Sequence, residues 1–164
     1  MKDLLEKLST YNILNYLIPG GVFVELSSSL TTYNLTQDDI VKGVILYYFV
    51  GLVISRIGSM LVEPILRWSR FVHFADYQDY LKASEKDSRL EVLSEENNMF
   101  RTFIALFLSL VLFKAFEVLS ACYPCLNDWL LGMIILGLIS LFAFSYRKRT
   151  YYITKRVKAA NSKN

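Results

Sequence analysis

The chain has 164 residues, of which 54% are apolar and 20% charged, with a formal net charge of +3 and a mean hydropathy of +0.33. Its length allows one domain of ordinary size, and its content of Phe, Tyr, Leu and Ile excludes a disordered chain. Two Cys and one His exclude a disulfide framework and a His-based metal site, which leaves a very apolar helical domain or an integral membrane protein.

The distribution of charge decides between these. Leu8 to Val24 carries no charge before Glu25, Gly43–Ser55 none, Thr102–Phe113 none and Trp129–Tyr146 none. No window alternates with period 2, as membrane strands would. A 164-residue domain has too little interior to hide four such segments. The expected fold is therefore all-α, with four transmembrane helices at about 11–31, 40–62, 102–121 and 128–146. The first contains Pro19-Gly20-Gly21, which predicts a kink. Asp3 and Glu6 offset Lys2 and Lys7, and no cleavage site stands out, so this span is expected to stay in the mature protein.

Topology follows from the basic residues. The tail 147–164 holds Arg147, Lys148, Arg149, Lys155, Arg156, Lys158 and Lys163 and no acid, and the middle segment 63–101 holds Arg67, Arg70, Lys82, Lys86, Arg89 and Arg101. The connectors 32–39 and 123–127 have no base. The positive-inside rule thus predicts a multi-pass inner-membrane protein with both termini and the middle segment cytoplasmic, and with membrane lipid as a partner of the basic tail. Tyr123 and Trp129 at one end and Tyr146, Tyr151 and Tyr152 at the other suit interfacial aromatic belts.

The middle segment reads as helical extensions of spans two and three, with Ser94 as a helix cap ahead of Glu95 and Glu96. Short helices cannot bury Trp68, Phe71, Phe74, Tyr77 and Tyr80 alone, which predicts a homo-oligomer or a membrane-surface contact, or else packing against the basic tail of the same chain.

Charges inside a bilayer are costly and mark pairs or water-facing positions. Lys114 and Glu117 are three apart and share a helix face, and Glu25 and Lys42 flank the first connector and could pair. In an oligomer Asn12, Asn15, Glu25, Lys114 and Glu117 are the candidate pore-lining residues. At the opposite end Arg56, Glu63, Asn97, Asn98 and Arg101 form an expected polar cluster, to be read as a ligand pocket, a gate or a structural network.

Chemical motifs are sparse. There is no phosphate-cradling Gly loop and no Gly-x-Ser-x-Gly, His73 stands alone, and Cys122 and Cys125 suit a disulfide or two free thiols. No enzyme activity, metal or cofactor is expected.

Residues 11–20 (YNILNYLIPG), 54–59 (ISRIGS), 63–64 (EP), 74–77 (FADY) and 97–102 (NNMFRT) resemble small bacterial multi-span proteins of anti-phage defence operons. The nearest are the HalA-like membrane effector of the Hailong system and, second, the membrane subunit of Kiwa. The resemblance implies an oligomeric inner-membrane effector whose opening depolarises the infected cell and aborts phage growth. It also implies a nucleotidyltransferase partner and a nucleotide-derived or single-stranded DNA oligomer as ligand. Arg67, Arg70, Arg101 and the tail from Arg147 to Lys158, with Lys148 and Arg149, would then meet the polyanion, and the acids in 76–96 would point elsewhere. The competing expectation is a membrane anchor or sensor that recruits a soluble defence partner through residues 63–100. A small transporter is a third reading, and no internal repeat supports it.

Overall fold

The computed structural model describes residues 11–161, so Lys2, Asp3, Glu6, Lys7 and Lys163 lie outside the described residues. Those described form helices and no strand. In chain order they are α1 (Ile18–Leu30), α2 (Ile40–Ile57), α3 (Glu63–Trp68), α4 (Tyr77–Ser84), α5 (Arg89–Cys122) and α6 (Cys125–Asn161). A π-helical turn, Ile13–Leu17, leads into α1, and another, Gly58–Val62, joins α2 to α3.

Both π turns stand two residues ahead of a proline, Pro19 and Pro64. Proline has no N–H to donate and its ring crowds the carbonyl four residues back. The wider turn relieves both problems by bonding five residues back: Ile18 N–H donates to the Ile13 carbonyl, and Glu63 N–H to the Gly58 carbonyl. The helices therefore run through these prolines, each preceded by a π turn. Pro124 lies in the break between α5 and α6.

Four helical stretches are long and apolar enough to cross a membrane: Ile13–Leu30, Ile40–Trp68, Arg89–Cys122 and Cys125–Asn161. The chain thus has the make-up of a multi-pass membrane protein. At 1.5 Å per residue α5 is about 51 Å long and α6 about 55 Å, against a hydrocarbon core of about 30 Å. The helix expected to start at Ser94 starts at Arg89, because Ser88 follows a turn closed by the Asp87 carboxylate, which accepts from the Arg89 amide. The tail after Tyr146 continues α6 to Asn161.

The core lies among α1, α2 and α5. Phe23, Ile54, Val62, Ala105, Leu106 and Leu110 form one cluster, with Val22, Leu26, Val50, Ile57, Phe103 and Phe113 packed around it. Most other large apolar side chains, among them Ile45, Phe107, Val111, Leu112, Leu131 and Leu136, face outward. That is the pattern of helices solvated by lipid tails. Helix α6 buries no residue. It leans on the bundle through Phe142 against Phe49, with ring centroids 6.4 Å apart, and through contacts at its basic end.

The first connector is tied to α5. Tyr33 packs on Phe113 with centroids 5.1 Å apart, and the Thr32 amide donates to Glu117 Oε1 at 2.6 Å. Glu117 also pairs with Lys114, as the three-residue spacing predicts. Glu25 makes no such pair with Lys42. Its side chain is exposed, and its backbone carbonyl accepts from the Ser28 and Ser29 hydroxyls.

Candidate functional site: a basic cavity at one end of the bundle

Where α2, α5 and α6 emerge from their uncharged stretches, a cavity of about 880 Å³ opens between them and the middle segment. Glu63, at the first position of α3, holds it together. Its Oε2 accepts from Arg101 Nη1 of α5, and its Oε1 accepts from Lys148 Nζ of α6 at 3.1 Å. Lys148 Nζ also donates to the Ser59 carbonyl at 2.7 Å and to Ser59 Oγ at 2.9 Å. The π turn sets this geometry, since it carries Ser59 and turns Glu63 toward the two cations. Gly58 lets α5 approach closely: a Cβ there would sit 3.2 Å from the Arg101 carbonyl oxygen. One carboxylate thus joins three helices, and all three side chains are largely withdrawn from the surface.

Six cations line the cavity (Arg56, Arg67, Arg101, Lys148, Arg149 and Lys155) against two acids, Glu63 and Asp76. Glu63 already serves Arg101 and Lys148, so the surplus is positive and the cavity suits an anion. Arg56 Nη2 donates to the Tyr16 hydroxyl at 3.1 Å. Aromatic rings supply flat walls. Tyr77 packs on Tyr152 at 5.8 Å, Lys155 lies over the Tyr77 and Tyr151 rings at 6.0 and 5.1 Å, and Arg67 lies over Phe74 at 5.3 Å. Two polar atoms buried behind the lining, Arg101 Nε and Ser145 Oγ, have no hydrogen-bond partner.

Of the cluster expected from sequence, Arg56, Glu63, Asn98 and Arg101 meet here, together with Arg67, Lys148 and Arg149. Asn97 is exposed and outside the lining, as are Arg70 and Arg147. Lys155, part of the basic tail expected to meet a polyanion, also lines the cavity, whereas the sequence reading missed Ser59, Tyr16, Asp76 and the tyrosines of α4 and α6. Spacing along one helix reveals neighbours on that helix, whereas these residues meet across helices. The regular tyrosine placement at 77, 80, 151 and 152, with Lys155 one turn on, was the available signal.

The candidate pore residues are spread over the bundle. Asn15 is buried, with Oδ1 lacking a partner. Asn12 borders a shallow recess with Leu17, Val44 and Tyr48. Glu25 and Lys114 are exposed, and Glu117 holds the connector. Cys122 and Cys125 are free and exposed. Among the described residues no group of His, Cys, Asp and Glu could hold a metal ion.

The fold and site together define an all-helical chain of multi-pass membrane make-up with a basic, aromatic-walled cavity at one end. Comparison with protein families, curated proteins and solved structures finds no match.

Proposed function

We propose that the protein is a ligand-gated membrane effector: a homo-oligomeric channel or permeabilising protein of the bacterial inner membrane, acting in anti-phage defence. In this reading both termini and the cavity face the cytoplasm, where the basic residues gather. The observation that carries it is the joining of α3, α5 and α6 through Glu63 inside a cavity with excess positive charge. Helix α6 buries no residue and is fastened at this end by Lys148. A phosphate-bearing ligand, such as a nucleotide or short single-stranded DNA oligomer made by a partner nucleotidyltransferase, would compete with Glu63 for Arg101 and Lys148. It would thereby change how firmly α6 is held. A ligand that binds the two placements of α6 unequally shifts their populations, and that is gating.

The test is ion flux from liposomes holding the pure full chain, with short single-stranded DNA oligomers or nucleotides as probes at low and high salt. The expected result is a leak whose size responds to the probe, with a response that weakens as salt rises and is lost in Arg149→Glu/Lys155→Glu. Liposomes that stay tight with and without every probe would overturn the channel reading.

A further inference from the structure

The end of α3 has a feature that neither the core nor the cavity explains. Trp68 is 87% exposed and Phe71 78%. Between them Arg70 adopts φ 58°, the one positive φ outside glycine among the described residues. The hydrogen bonds give the reason. Phe71 N–H donates to the Leu66 carbonyl at 3.0 Å and Arg70 N–H to the Arg67 carbonyl at 3.1 Å. This is the Schellman ending of a helix, in which the left-handed residue is usually glycine. Here an arginine takes that place, at a conformational cost. The turn sends Phe71 back beside Leu66 and sets Arg70 between two unburied rings.

The depth of this turn follows from the helices. Ile40–Trp68 is a 29-residue stretch, about 43 Å at 1.5 Å per residue, which matches the roughly 40–45 Å of a bilayer with its headgroups. Helix α6 gives a second gauge of depth at this end. Lys148 lies just past Tyr146, where α6 changes from uncharged to basic, and it touches Ser59 and Glu63. Glu63 is therefore at the hydrocarbon boundary, and Trp68 lies about 7.5 Å beyond it, among the headgroups. The Schellman turn then stops the chain from climbing away and brings Phe71 back toward that boundary.

We propose that Trp68, Arg70 and Phe71 form an interfacial anchor seated in the anionic headgroup layer of the leaflet on the basic side of the bundle. Lipid is the occupant because the patch continues a membrane-spanning helix at headgroup depth, pairs a tryptophan with an apolar ring as interfacial belts do, and carries the cation that anionic lipid attracts. The anchor fixes the level of α3, and so of Glu63, relative to the bilayer. It stands whether or not the chain conducts ions.

The test uses the full chain with Trp129→Phe, which leaves Trp68 as the sole tryptophan, in nanodiscs of phosphatidylcholine with and without phosphatidylglycerol. Trp68 is expected to show blue-shifted emission and several-fold stronger quenching by headgroup-labelled lipid than by aqueous iodide. Adding Arg70→Glu is expected to reverse that order in the anionic discs only. Iodide quenching equal to that of free tryptophan would overturn the anchor. Protection from both quenchers would overturn it as well, because a second copy or a soluble partner would then cover the patch. An Arg70→Glu variant no different in anionic discs would also count against it.

Discussion

Gly20 and Gly51 bring α1 and α2 into backbone contact: a Cβ on Gly20 would sit 1.7 Å from the Tyr47 carbonyl oxygen, and one on Gly51 1.7 Å from that of Tyr16. Between membrane helices no hydrophobic force acts, because lipid tails are as apolar as the side chains. Close backbone approach at small residues is therefore what gains dispersion contacts. The pair holds α1 at the register from which Tyr16 reaches Arg56.

Gly20→Ala or Gly51→Ala should accordingly force the helices apart and lower the melting temperature of the detergent-solubilised protein sharply, with Gly51→Leu worse. Gly132 and Gly137 of α6 have nothing within 4 Å of an added Cβ, so alanine there should be tolerated and gain up to about 1 kcal/mol from helix propensity. Size-exclusion traces after graded heating would separate the two pairs.

Glu63 joins three helices, so Glu63→Gln should leave Arg101 and Lys148 facing one another without their shared counter-charge. Fully buried pairs cost about 3–5 kcal/mol to break. With these side chains partly open to solvent, about 1–3 kcal/mol is expected. A cycle combining Glu63→Gln with Lys148→Met should show coupling, whereas Asn97→Ala, outside the cavity, should change stability little.

Glu117 serves two partners and Lys114 only one of them. Glu117→Ala should therefore loosen the first connector more than Lys114→Ala, since the Thr32 amide loses its acceptor. Hydrogen exchange of the Thr32 and Tyr33 amides should accelerate in the first variant and hardly in the second.

Arg70→Gly relieves the left-handed strain at the end of α3. The gain is reduced by the greater freedom of glycine in the unfolded chain, which leaves about 0.5–1 kcal/mol of added stability. The same variant should lose the preference for anionic lipid, so stability and lipid binding should move in opposite directions.

The free thiols of Cys122 and Cys125 report topology. A membrane-impermeant maleimide should label them in intact spheroplasts. In a cysteine-free background, Asn161→Cys should be labelled only after permeabilisation. The reverse pattern would overturn the orientation we propose.

Elements set by local pattern were legible before any coordinates. The four apolar runs became four helices, because a mostly apolar stretch of about 20 residues has few other ways to satisfy its backbone in lipid. Lys114 and Glu117 paired because residues three apart on a helix are neighbours wherever the helix lies. The start of α5 at Arg89 instead of Ser94 depended on the Asp87 turn, a local competition that capping preference alone does not rank.

Sequence alone determined the four apolar helices, the basic tail and the face-sharing pairs, since each depends on residues close in the chain. Only the tertiary structure decided that Glu63 meets Lys148, 85 positions away, that Gly20 meets Gly51, and that the aromatic rings of α4 and α6 wall one cavity. Those contacts depend on the relative depth and rotation of separate helices. A uniformly apolar surface leaves both nearly free until glycines and buried charges lock them.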